Sequence, residues 1–324
     1  MEPSVDIVIL SWDRLEETKA AISSALAQIG VQLKVIVIDQ GSKQQSLRQL
    51  REFCELDSRI ILVCNPENLG VPGGRNLGAY QGQAKYLVSL DNDAEFIDPQ
   101  QVAKACQLMD DQPELSALAF RILCFGTEQD DASSWSYHQD ISAASSSFYT
   151  DRFVGAGHML RRQDFEQIGG YDDALFFLHE EVDLAKRLIN NGGKIVYSPQ
   201  VVIGHKVSNE HRVAWTDGRW AFDVRNKTYL HIKFRTFLPT AVFHTGLLVI
   251  KGFRSKMLLA TLLGLGRALA MSPKAIHAWR QPAVVSNPAA KAYFDSCSPT
   301  QGMSVWQRVK IRIKQNKHVP ENVT

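Results

Sequence analysis

The sequence predicts an α/β fold: a mostly parallel central sheet flanked by helices, followed by a helical C-terminal extension. Three observations carry this. Short runs rich in Val and Ile alternate with helix-like stretches in the first part of the chain, the pattern of strands joined by crossover helices. A second block, residues 153–203, again mixes strand-like and helix-like segments. From about Leu238 the strands give way to apolar helical stretches interrupted by Lys and Arg.

The elements follow in order. Residues 6–10 (DIVIL), 34–38 (KVIVI), 59–63 (RIILV) and 86–90 (YLVSL) are short and apolar on both faces, so they read as buried strands. Between them, residues 15–28, 46–56 and 74–81 read as helices. Residues 131–150 are rich in Ser, Asp and aromatics without a clean period, which suggests a long surface loop or an irregular excursion. The second block holds a strand at 153–160, a helix near 163–168, a helix at 180–191 stopped by Gly192 and Gly193, and a strand at 194–197. Residues 241–250 and 257–271 are apolar. Pro273, Pro282, Pro288 and Pro299 then mark a loose segment, and residues 308–317 form a basic run. The chain divides into a catalytic domain, 1–237, and an extension, 238–324.

Bulk properties exclude several classes. With 324 residues, 45% hydrophobic and 22% charged, the chain has the balance of a well-cored globular protein. A net charge of +2 gives no electrostatic footprint for nucleic acid. The five cysteines are scattered and form no CxxC pair, which argues against a disulfide framework or zinc site and for a reducing, cytoplasmic setting. The N-terminus MEPSVDIVIL has no basic region ahead of an apolar core, so no signal peptide is expected. No apolar run reaches the ~18 residues of a spanning helix.

Chemistry concentrates where strands end, since ligands of open α/β sheets bind beyond the carboxyl ends of the strands. The run SLDNDAEF delivers Asp91 and Asp93 just past a strand. Two carboxylates one residue apart can share a hard cation with a diphosphate, although a polar turn would look the same. Ahead of it, NPENLGVPGGRNLG carries Gly73 and Arg75 in what reads as a Gly-rich loop running into a helix, a place where backbone and guanidinium approach an anion. It is not a Walker loop, having no GK[ST]. The cluster HEEVDLAKRL puts Glu180, Glu181 and Asp183 in one helical first turn, where they either complement the helix dipole or offer a base. Trp135, Tyr137 and Trp215 can stack on sugars, with core packing the commoner role.

Taken together, DIVILSWDR, VIDQGS, ENLGVPGGRNLG and SLDNDAEF resemble the donor half of family-2 glycosyltransferases of the GT-A fold, in particular the rhamnosyltransferase-like group. The stretch from FVGAGHML to VVIGH resembles the acceptor half, and the likeness covers roughly residues 5–206. It implies an inverting, metal-dependent transfer from a nucleoside diphosphate sugar to a hydroxyl of a saccharide or lipid-linked acceptor, in polysaccharide or glycoconjugate biosynthesis. It further implies that Ser11, Arg14, Asp39, Gly73, Arg75 and Asp91 line the nucleotide-sugar pocket, and that Asp91, Asp93 and His205 hold Mn²⁺ or Mg²⁺. Glu181 takes the place of the general base, with Glu180 beside it, because this chain reads Glu-Glu-Val-Asp-Leu where Glu-Asp-x-Asp-Leu is usual. Gln40 departs from the commoner Asn.

Two other classes stand against this reading. A metal-dependent nucleotidyltransferase also uses paired Asp, but its first loop is Gly-rich, whereas this one is SWDRLEE. A non-catalytic sugar-nucleotide-binding subunit would have lost the Asp pair or the acidic cluster, and both are present. The C-terminal helices leave two partners open: a membrane surface met peripherally on the cytoplasmic side, or protein, including a second copy in a homodimer.

Overall fold

The computed structural model describes residues 2–206 and 217–298. Trp215 and the basic run 308–317 lie outside them. The first half runs β1 (Ser4–Ser11), α1 (Leu15–Leu26), β2 (Gln32–Gln40), α2 (Gln44–Cys54), β3 (Ile60–Asn65), α3 (Gly70–Ala79), β4 (Tyr86–Leu90), β5 (Ala94–Phe96), α4 (Gln101–Asp111) and β6 (Leu115–Cys124). The second runs β7 (Phe148–Tyr149), β8 (Gly157–Arg161), α5 (Arg162–Gln167), α6 (Glu180–Asn190) and β9 (Lys194–His205), then helices α7 (Asp217–Lys233), α8 (Leu238–Arg254), α9 (Leu258–Ala270), α10 (Ser272–His277) and α11 (Pro288–Cys297).

The strands form one sheet in the order β3-β2-β1-β4-β8-β6-β9-β5, with β7 on β9. The sheet is mixed. β1 pairs in parallel with β2 and β4, β2 with β3, and β6 with β9, whereas β8, β5 and β7 run against their neighbours. The expected strand at 194–197 continues to His205 across a bulge at Pro199, where a missing N–H costs no ladder bond. The expected strand at 153–160 begins only at Gly157, and before it the carbonyls of Gly155 and Ala156 accept from Arg75 and from Asp91 N.

Three other segments differ from expectation. The Gly-rich stretch is helix from Gly70 onward, not loop. Its glycines permit contact with the sheet: a Cβ on Gly78 would lie 2.4 Å from Val8. Residues 131–150 are irregular, as read, but Trp135, Tyr137 and Phe148 pack about Tyr197, with Phe148 stacked on it at 4.7 Å, so these aromatics are core. The proline-marked segment is ordered: Pro273, Pro282 and Pro288 each fall in the first turn of a short helix, where proline costs no hydrogen bond. Tyr293 on α11 ties this segment to β9, its hydroxyl accepting from Ile195 N at 2.9 Å.

One buried ion pair locks the donor half to the acceptor half. Asp6 on β1 accepts from Arg162 at 2.6 Å and from Ala84 N at 2.9 Å, and Arg162 also donates to the carbonyls of Ala79 and Ala84. Removing one partner strands a charge and several carbonyls. Arg162→Met is expected to cost about 3–5 kcal/mol in urea unfolding, the range for half of a buried pair. An unchanged midpoint would show that the two halves are joined elsewhere.

Candidate active site

Sheet register assembles the site at the carboxyl ends of the strands. Ala94 on β5 lies opposite His205 on β9, so the residue before it, Asp93, meets the His205 ring. Nε2 of His205 is 3.5 Å from Asp93 Oδ1. Cys124 on β6 also pairs with His205, and a bridge from Leu123 to Asp130 folds the chain back. That brings Asp131 to 3.1 Å from His205 Nδ1. Burial pulls the imidazole toward neutrality, but Asp131 and Asp93 outweigh it and hold its pKa up at about 10. On the other side Asp93 Oδ2 accepts from Arg14 at 2.6 Å. Burial opposes the charge on Asp93, yet His205 and Arg14 keep its pKa below the ordinary value.

A carboxylate behind a histidine, with a second carboxylate in front of its other nitrogen, is the donor arrangement of a carboxylate–histidine–metal relay. The fit to a divalent cation is that of an open site. Among the described residues no three His, Cys, Asp or Glu side chains converge on one point, so an ion here would complete its shell with phosphate oxygens and water.

Arg75 organises the other carboxylates. It is buried and donates to Glu181 Oε1 at 2.8 Å, Asp91 Oδ1 at 3.0 Å and the Gly155 carbonyl at 2.8 Å. Three of its five N–H donors are thus committed to an internal clamp of two carboxylates and a carbonyl. The reason is local: α3 starts early, at Gly70, so Arg75 points into the protein. Gly155 is the place where this pair fits, since a Cβ there would lie 2.3 Å from Glu181 Oε1. Asp91 thus pairs with Arg75, with Asp93 and His205 close enough for their charges to act on it.

The acidic helix α6 starts from strained backbone. Phe176, Leu178 and His179 all have positive φ, 58°, 72° and 69°, at about 1–3 kcal/mol each for non-glycine residues. Helix α7 holds them. Asn226, fully buried, shares its amide hydrogens among the carbonyls of Leu175, Phe177 and Leu178, and Asp223 accepts from His179 at 2.7 Å. The resulting turn buries Glu180, whose Oε2 finds no partner. Burial first, and then the Glu181 charge, push its pKa up to about 8. Glu181 beside it is the ion-pair partner of Arg75 and only partly buried.

The remaining expected residues divide. Asp39 ends β2 with Oδ2 accepting from the amides of Gly41 and Ser42 at 3.2 Å, while Oδ1 is buried without a partner. Such an orphan acceptor suits an incoming N–H. Ser11 is buried against Thr18, 3.4 Å away. Gly73 lies inside α3, its Cβ position 2.8 Å from Leu69, and is no part of a phosphate loop. Gln40, read as a minor departure, holds the start of α3 by accepting from Leu69 N and donating to the Gly70 carbonyl, both at 3.0 Å. Sequence reasoning missed Asp131, Gly155, Asp223 and Asn226. Gly155 stands in the quoted FVGAGHML run without any feature that singles it out, and the other three lie outside every motif; only the chain's return to the site reveals them.

The profile of glycosyl transferase family 2 matches residues 6–169, half of the chain. The chain belongs to this family. It is similar to a glucosyl-dolichyl phosphate glucuronosyltransferase of Haloferax volcanii, at 21% identity over 64% of this chain and 70% of that one. It is also similar to the O-antigen biosynthesis protein RfbC of Myxococcus xanthus, at 24% identity over 65% of this chain and 18% of that one. The fold matches the mannosyltransferase PcManGT from Pyrobaculum calidifontis, solved with GDP-Man and Mn²⁺, with a TM-score of 0.55 at 18% identity over 91% of this chain and 87% of that one. The GT-A architecture and glycosyltransferase activity follow.

In this family-2 glycosyltransferase Glu180 couples pH to stability. The pKa of Glu180 is raised in the folded chain, so its contribution to folding is full below the ordinary carboxylate value of 4.5 and is lost as pH rises through about 8. Thermal melts of the parent should fall across that window, and Glu180→Gln should flatten the curve. Equal slopes in both proteins would mean Glu180 is ionised at little cost. Asn226→Ala, by freeing three buried carbonyls, should cost about 1–3 kcal/mol and lower kcat more than it alters KM for the donor. An unaltered kcat would show that the α6 turn keeps its shape without α7.

Proposed function

We propose that this chain moves a sugar from a nucleoside diphosphate donor to an acceptor hydroxyl with inversion at the anomeric carbon, using a divalent ion, Mn²⁺ or Mg²⁺. The observation that carries this is one cleft holding three unlike groups: the orphan Asp39 oxygen, the Asp93–His205–Asp131 relay, and Glu181 on Arg75.

In this reading Asp39 accepts an N–H of the donor's base, and Asp91 takes the ribose. Asp93 and His205 would hold the ion, which would supply countercharge to the departing diphosphate. Arg14, which donates to Asp93, lies beside that position. The acceptor oxygen attacks the anomeric carbon as its proton passes to Glu181, and the bond to the diphosphate breaks with its electron pair leaving on oxygen. Glu181 suits the base role better than Glu180 because it pairs with Arg75 and is the less buried of the two, whereas Glu180 is buried with its pKa raised. The acceptor is a saccharide or a lipid-linked saccharide, handled on the cytoplasmic side.

Glu181→Gln is expected to retain donor binding and lose ~10²–10⁴-fold in turnover. Asp93→Ala should abolish metal-dependent donor binding by calorimetry, and Asp131→Asn should weaken metal binding ~10–100-fold by loosening His205. Full activity of the parent in EDTA would overturn the metal-dependent mechanism. A dead Glu180→Gln beside an active Glu181→Gln would move the base by one residue.

A further inference from the structure

Helices α8 and α9 are built inside out. The face of α9 that packs on the protein carries small residues, Ala260, Thr261, Gly264 and Ala268. These allow close approach to α7: a Cβ on Gly264 would lie 2.7 Å from the Ala221 carbonyl, and Thr261 accepts from Trp220 at 2.8 Å. The outer face carries the large residues. Leu259 is 82% exposed, Leu262 54% and Leu269 65%, and on α8 Val242, Ile250 and Phe253 stand out in the same way. A helix in contact with water puts its leucines inward. Small residues inward and leucines outward are instead the arrangement of a helix whose outer side meets hydrocarbon.

Charge identifies the occupant. The chain carries 34 Asp and Glu, yet none lies between Asp223 and Asp295. The exposed cations of the hairpin, Arg254, Lys256 and Arg267, therefore have no acidic residue in their own segment to meet. A symmetric contact between two copies would set this acid-free face against itself and oppose like charges. A lipid surface with anionic headgroups supplies both hydrocarbon for the leucines and phosphate for the cations. The helices have 17 and 13 residues, about 26 and 20 Å at 1.5 Å per residue, and none of the described helices is long and apolar enough to cross a membrane.

We propose that the α8–α9 hairpin docks in the plane of an anionic bilayer, with Leu259, Leu262 and Phe253 in the acyl boundary and Arg254, Lys256 and Arg267 on headgroup phosphates. The test is co-sedimentation of the full chain with phosphatidylcholine vesicles, with and without phosphatidylglycerol, together with analytical ultracentrifugation lacking lipid. The parent should pellet with the anionic vesicles, and less so as salt rises. Leu259→Glu/Leu262→Glu should lower that partition at least about tenfold, with the urea midpoint unchanged because both side chains are exposed. A parent that stays in the supernatant with anionic vesicles overturns the proposal. So does a solution dimer that the same double substitution dissociates, which would assign the face to a second copy.

Discussion

The site depends on where one guanidinium is buried. Arg75 sits in the protein interior with Glu181, Asp91 and the Gly155 carbonyl around it, and without it two carboxylates would be left with no cation between them. Desolvation alone would drain charge from a buried guanidinium, but the surrounding acids, with the Tyr171 ring beside it, hold its pKa above the ordinary value. Both carboxylates that bond Arg75 have a partner, whereas Glu180, next to Glu181, keeps one oxygen without a partner and is pushed toward the neutral form by burial and then by the Glu181 charge.

Arg75 can do this only because the backbone around it is forced. The α3 helix must begin at Gly70, whose φ of 73° and approach to the Phe176 carbonyl admit no side chain. Val71 then donates to that same carbonyl at 2.7 Å. The loop that receives this bond is the one with three non-glycine residues at positive φ, so the donor half and the acidic helix hold each other in place. Such strain persists where neighbours over-determine it, and here the neighbours are α3 on one side and α7 on the other.

What the sequence revealed follows from how local each cause is. β1, β2 and β4 were legible because a strand buried on both faces is a continuous apolar run; β3 carries the same run but is a half-buried edge strand, not the buried one expected, and Asp39, Asp91 and Asp93 were legible as polar residues at the ends of such runs. The acidic start of α6 was legible for the same reason. The role of Arg75 was not, because Gly-rich sequence reads as loop and the helix there depends on tertiary contacts with Gln40 and Phe176. Asp131 was hidden because its approach to His205 comes from a register between β6 and β9 and one isolated bridge, within a segment that has no period. On α9 the apolar content was plain, but which face points outward was not, since Leu and Ala alternate too closely for the pattern to decide.

Helix α7 joins the two ends of the molecule. Trp220, Ala221 and Val224 form its contact with α8 and α9, while Asp223 and Asn226, on adjacent positions of the same helix, hold His179 and the strained carbonyls before Glu180. Residues at i, i+3 and i+4 on one helix cannot shift independently. The hairpin is therefore packed on the same element that holds the first turn of the acidic helix, so α7 ties the C-terminal extension to the start of α6.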